Sequence, residues 1–281
     1  MKFGASSFIW VSPFSNDSLH LFEKVKSQGF DVLEVCIEDP YTIDTSAIAD
    51  ESRKTGVEVA ICGAFGPGRD IGSEDASVRQ SGIDYIKTCV DIAAKFNSKL
   101  VSGPMYAQTG KTDLKTSDER NRQTAWAVRN MQTVAEYAKA SGVRLAVEPL
   151  NRFETDFMNT VGQGLEFLEQ IGADNVGFLL DTFHMNIEEK QIGQAIKKAG
   201  SKIFNFHACG SDRGTPGEDH INWDEVRDAL YSVGYTGCLT IESFNSDITE
   251  IARAVSLWRP LADSADKLAV NGLRFLKQKF S

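Results

Sequence analysis

Histidine is scarce in this chain, with only four among 281 residues. A histidine-rich centre of several zinc ions, as an apurinic endonuclease on a barrel would need, does not fit that count. Paired cysteine motifs are missing. Cys36, Cys62, Cys89, Cys209 and Cys238 are odd in number and form no CxxC. They read as buried free thiols of a reducing compartment, with Cys209 as the one candidate reactive thiol. No apolar run reaches the roughly 20 residues a membrane helix requires. The start, MKFGASSFIWVSPF, lacks the apolar stretch of a signal peptide. A cytoplasmic chain without a membrane partner is therefore expected. An excess of basic residues is lacking too: 39 acids against 30 bases leave a net charge of −9. That disfavours non-specific nucleic-acid binding, which wants a basic face. No GxGxxG follows the first strand-like run, which weakens a dinucleotide reading.

What is present is an alternation of short apolar runs with amphipathic ones. Strands are expected at Phe3–Ser7, Val32–Ile37, Val57–Cys62, Lys99–Ser102, Val143–Glu148, Val176–Asp181, Ile203–His207 and Cys238–Glu242. They are rich in β-branched residues, as buried parallel strands should be. Helices are expected at Asp17–Gln28, Ser77–Phe96, Asn121–Ala140, Val161–Ile171, Trp223–Val233 and Ser264–Lys279. Gly29, Gly142, Gly172 and Gly234 each precede a strand, as helix C-cap chemistry predicts. Eight βα units in a row favour one α/β domain over 1–281, a single (β/α)₈ TIM barrel. An open doubly wound sheet is the alternative. The long irregular stretch Tyr106–Glu119 falls where a lid over the mouth would lie, or a plain surface loop.

Glu148, Asp181, His207 and Glu242 each close a strand, about one βα unit apart. In a barrel of this kind the active site sits at that end of the strands. Three carboxylates and one imidazole there suit a divalent cation such as Mn²⁺, Co²⁺ or Mg²⁺ better than structural zinc. The two glutamates are then a natural acid/base pair. Each residue also has a plainer use. Glu148 could pair with Arg152, Asp181 could cap the next helix, and His207 could be a hydrogen-bonded core residue. Glu154, His184 and Arg213 follow on βα loops at the mouth, where they could serve a substrate's hydroxyls and carbonyl. The loop Cys209–Gly217 could instead seat a phosphate. Phe8, Trp10 and Phe65 could wall off sugar carbons.

Four phrases carry a resemblance over nearly the whole chain: VEPLNRFETD at 147–156, LLDTFHMNIEE at 179–189, HACGSDRGTPGEDHINW at 207–223 and TIESF at 240–244. With them the chain resembles the ketose 3-epimerases of the sugar isomerase/epimerase barrels, which act on D-tagatose, D-allulose (psicose) or L-ribulose. The resemblance implies that Glu148, Asp181, His207 and Glu242 bind Mn²⁺ or Co²⁺. It implies that Glu154, His184 and Arg213 bind the substrate near O1 to O3. It implies a homodimer or homotetramer. The implied reaction inverts C3 of a free ketohexose or ketopentose through a cis-enediolate, with Glu148 on one face and Glu242 on the other. The stretch MYAQTGKTDLK lacks a tryptophan that several members carry, which bears on the distal end of the substrate. The rival on the same barrel is a 1,2 aldose–ketose isomerase of the hydroxypyruvate or rhamnose type. An inosose-type dehydratase and a non-catalytic sugar-binding barrel are further alternatives.

Overall fold

Runs such as VLEVCI and VGFLLD are buried at every residue, as strands covered on both faces must be. In the computed structural model, which describes residues 1–96 and 98–281, eight such runs form a barrel. They are β1 (Lys2–Ser6), β2 (Val32–Ile37), β3 (Glu58–Gly63), β4 (Leu100–Gly103), β5 (Arg144–Val147), β6 (Val176–Asp181), β7 (Ile203–His207) and β8 (Cys238–Ile241). Each pairs in parallel with the next, and β8 returns to β1 with Gly4 opposite Thr240. A methyl group on Gly4 would lie 2.8 Å from the Thr240 hydroxyl, so a larger residue there would force this seam to shift. The (β/α)₈ barrel expected from the sequence is the observed fold.

The helices lie between the strands: α1 (Leu21–Gln28), α2 (Thr45–Thr55), α3 (Ala76–Lys95), α4 (Ser117–Ala140), α5 (Val161–Ile171), α6 (Thr182–Glu188), α7 (Ile192–Ala199), α8 (Trp223–Ser232), α9 (Thr249–Ala254) and α10 (Ala265–Phe280). Gly29 ends α1 at φ 92°, a left-handed turn that returns the chain to β2. α10 packs on β1 and β8 across the closing seam. None of the described helices is long and apolar enough to cross a membrane.

Several boundaries differ from expectation, each for a local reason. α4 begins at Ser117, because Thr116 and Glu119 form a reciprocal capping box. The irregular loop before it is correspondingly shorter. β5 and β8 stop at Val147 and Ile241, so Glu148 and Glu242 lie just beyond the paired residues. β1 gives way to a 3₁₀ turn at Ser7–Ile9, which carries Phe8. α2, α6, α7 and α9 do not stand out in the sequence. Only Ile48 of α2 is buried, so its apolar stripe is faint, and α6 has only seven residues.

Candidate metal and catalytic centre

Four consecutive strands bring one ionisable group each to the same point. Glu148 follows β5, Asp181 ends β6, His207 ends β7 and Glu242 follows β8. One ligand atom from each lies within 4.8 Å of all the others, and all four residues are buried. Neighbouring register brings Asp181 opposite His207. His207 Nδ1 is 3.6 Å from Glu242 Oε2 and 4.0 Å from Asp181 Oδ2.

Three buried carboxylates repel one another unless positive charge lies among them. Burial drives the Glu148 carboxyl well above the usual range, and the charge of Glu242 adds to the effect. Asp181 rises to about 6 for the same two reasons. Burial would raise Glu242 also, but His207 and Arg213 draw it down to about 2. Burial opposes a charge on His207, yet Glu34 and Glu242 hold it well above its ordinary value. Glu148 Oε1 and His207 Nδ1 are buried without a hydrogen-bond partner. Unpartnered buried polar atoms around one point call for a ligand that satisfies them together. Three hard oxygen donors and one imidazole nitrogen fit a divalent cation.

Asp181 takes the capping role open to it and keeps its other oxygen at the centre. Its Oδ1 caps α6 by accepting from the Phe183 amide at 2.7 Å, while Oδ2 accepts from the Cys209 thiol at 3.1 Å. The Cys209 thiol is buried and engaged with Asp181 and with the Glu242 carbonyl. Burial, with Asp181 beside it, pushes it well above the normal thiol range, and a neutral thiol is a poor nucleophile. Arg152 does not pair with Glu148. It pairs with Glu188 at 2.9 Å on the surface. One residue at the centre escapes the sequence reading: Glu34 on β2. Its carboxylate lies 3.0 Å from His207 Nε2 and it is fully buried. The signal was a lone carboxylate inside VLEVCI.

Glu154, His184 and Arg213 form a second group over the first. Arg213 donates to Glu154 Oε1 at 2.9 Å and to Glu242 Oε2 at 3.2 Å. Its guanidinium lies between the rings of Phe183 and Phe244, at 4.1 and 4.8 Å. Its backbone is left-handed at φ 64°, an uncommon state for arginine. Such strain tends to gather where position matters. Because Arg213 is committed to two carboxylates and Asp212 to Arg259, the loop is a poor phosphate seat.

His184 lies on α6 rather than on a loop. Burial, then Arg213, lower its pKa to about 3, so the ring is neutral. The Asn151 amide donates to Nδ1 at 3.0 Å. The proton therefore sits on Nε2, which is 3.7 Å from Glu148 Oε1.

These groups face a cavity of about 350 Å³. Glu148, Glu154, His184, Arg213 and Glu242 line its polar side, and Phe8, Phe65 and Phe244 its apolar side. Phe8 packs on Phe244 with centroids 5.2 Å apart. Trp10 is engaged elsewhere, donating to Asp266. Thr109 and Gly110 of the loop before α4 reach the rim. That loop is strapped down: Gly110 donates to the Glu154 carbonyl at 2.7 Å, and Lys115 pairs with Asp156 at 2.8 Å.

The family model described as the xylose isomerase-like TIM barrel matches residues 22–279. A probable ketose 3-epimerase of Synechocystis sp. is 35% identical over 280 residues, covering 100% of this chain and 97% of that protein. The chain belongs to the ketose 3-epimerase family. Within that family, an L-ribulose 3-epimerase of Mesorhizobium japonicum is 36% identical, over 96% of this chain and 90% of its own. A solved L-ribulose 3-epimerase superposes with a TM-score of 0.92 at 34% identity, covering 99% of this chain and 94% of that one. The D-allulose 3-epimerase of Methylomonas sp., solved in complex with D-allulose, gives 0.93 at 28% identity, covering 99% and 97%. The family places this chain among carbohydrate epimerases.

Proposed function

We propose that residues 1–281 act as one domain that inverts C3 of a free ketohexose or ketopentose with the help of a divalent cation. The observation that carries this reading is the meeting of Glu148 and Glu242 at one buried centre. They come from the two ends of a four-strand arc, with Asp181 and His207 between them. Inversion needs a proton removed from one face of a carbon and returned to the other, and two flanking carboxyl groups suit that task. Glu148, Asp181, His207 and Glu242 would hold Mn²⁺, with Co²⁺ or Mg²⁺ as substitutes. A bound cation of this kind supplies Lewis-acid polarisation of the C2 carbonyl, which acidifies the C3 hydrogen.

The chain's own residues do the rest. One glutamate takes the C3 proton, and the other delivers a proton to the opposite face of the cis-enediolate. Arg213 and the Nε2–H of His184 donate toward O2 and O3, where negative charge develops. Glu154 holds Arg213 in place and accepts from a substrate hydroxyl. Phe8, Phe65 and Phe244 cover the sugar carbons and exclude water. The named activities of the relatives support 3-epimerisation over the 1,2-isomerase reading.

The test is product analysis by NMR after incubation of fructose, tagatose and ribulose with Mn²⁺, and in parallel with EDTA. A ketose altered only at C3, formed with Mn²⁺ and absent after chelation, is expected. An aldose product, or turnover that survives chelation, would overturn the reading.

A further inference from the structure

Glu34 is a fully buried carboxylate that the reaction outlined above does not use. It stands on β2 and reaches His207 on β7 inside the barrel. Its Oε1 and Oε2 lie 3.0 and 3.1 Å from His207 Nε2. Asn205, two residues before His207 on β7, donates its amide to Glu34 Oε2 at 3.2 Å. The same amide reaches the Ser102 hydroxyl on β4 at 3.1 Å. Two side chains of β7 thus hold one carboxylate of β2, and Ser102 of β4 steadies one of them.

We propose that Glu34 is the positioning residue that fixes the ring orientation and tautomer of His207, so that Nδ1 presents its lone pair to the cation. This rests on the cation reading above. A carboxylate facing Nε2 keeps the proton there, and Nδ1 is left as a ligand atom. Nδ1 is the atom facing Glu242 and Asp181, and it has no partner among the protein's own groups. The torsion that turns an imidazole has broad, roughly two-fold wells. Without Glu34 a half-turn of the ring would put a carbon where Nδ1 now lies, and the centre would lose its only nitrogen donor. A buried glutamate is costly, and here it stays because its partner is the ligand itself.

The experiment measures Mn²⁺ dissociation constants by electron paramagnetic resonance for the wild type, Glu34→Gln and Glu34→Asp, alongside circular dichroism. Glu34→Gln keeps the volume and should fold. It should weaken Mn²⁺ binding by about 10- to 100-fold, with Glu34→Asp recovering part of the loss. A Glu34→Gln dissociation constant within about twofold of wild type would overturn the inference while leaving the cation reading intact. A wild type that binds no Mn²⁺ would overturn both.

Long-range ¹⁵N–¹H NMR on the Mg²⁺-loaded wild type decides the matter even if the variants do not fold. Only His20, His184, His207 and His220 need assignment. The His207 proton is expected on Nε2, and a proton on Nδ1 would refute the proposal.

Discussion

Strands β5 to β8 lead into Glu148, Asp181, His207 and Glu242, whereas β1 to β4 end in Ser6, Ile37, Gly63 and Gly103. The two halves of one barrel therefore do different work. The later half gathers charge at a buried point. The earlier half sends Phe8 and Phe65 into the same cavity from the turns beyond β1 and β3. Glu34 is the exception, a carboxylate of the earlier half that serves a histidine of the later one. Chemistry is thus expected to depend on the later half, and choice of substrate on the earlier.

The largest effects should follow from the charged half. Glu148→Gln and Glu242→Gln should each lower turnover by about 10³-fold, the scale of a lost general acid or base, with unchanged circular dichroism. Chelation should abolish turnover, and cation restored at a hundredfold excess over its dissociation constant should add about 2.7 kcal/mol of stability in thermal unfolding. A Glu variant of near wild-type activity would break the contrast between the halves. Next comes Arg213→Lys. It keeps one charge but loses the fork that spans Glu154 and Glu242. A fall in kcat/KM of about 10- to 100-fold is expected from steady-state kinetics, as one or two charge-assisted hydrogen bonds would give.

Smaller effects belong to the apolar half. Phe8→Leu should change KM by about 10-fold or less and shift the preference among ketoses, with kcat nearly kept. A large loss of kcat there would show that the wall takes part in the chemistry. The smallest expected effect is none. With its pKa lowered to about 3 by burial and by Arg213, His184 should show no protonation in NMR spectra between about pH 5 and pH 8, where an ordinary histidine titrates. Below the unfolded value near 6.5 the unfolded chain takes up the proton and the native one does not. This residue therefore costs stability as pH falls from there toward 3.

Much of this was legible in the sequence because parallel strands announce themselves. Val32–Ile37, Val176–Asp181 and Ile203–His207 are read to the residue, since each is mostly apolar and bounded by turn-formers. The four charged residues were legible because each interrupts or closes such a run. Glu34 looks the same but sits inside its strand, and only the cross-barrel contact to His207 gives it meaning. The helical setting of His184 was hidden because α6 is two turns long and follows directly on Asp181, the last residue of β6. The Arg152–Glu188 pair depends on where α6 ends, which local pattern does not reveal.

The most direct test of the central claim, that two carboxylates share the inversion, is the isotope content of the product formed early in D₂O. The wild type with Mn²⁺ and a ketose is sampled at low conversion, and deuterium at C3 is read by proton NMR and mass spectrometry. Two separate acids and bases predict a C3 epimer that carries one deuterium at C3 from the first turnovers, with the remaining substrate largely unlabelled. Retention of the original hydrogen in a substantial share of the product would mean that one group carries the proton across, and would contradict the account.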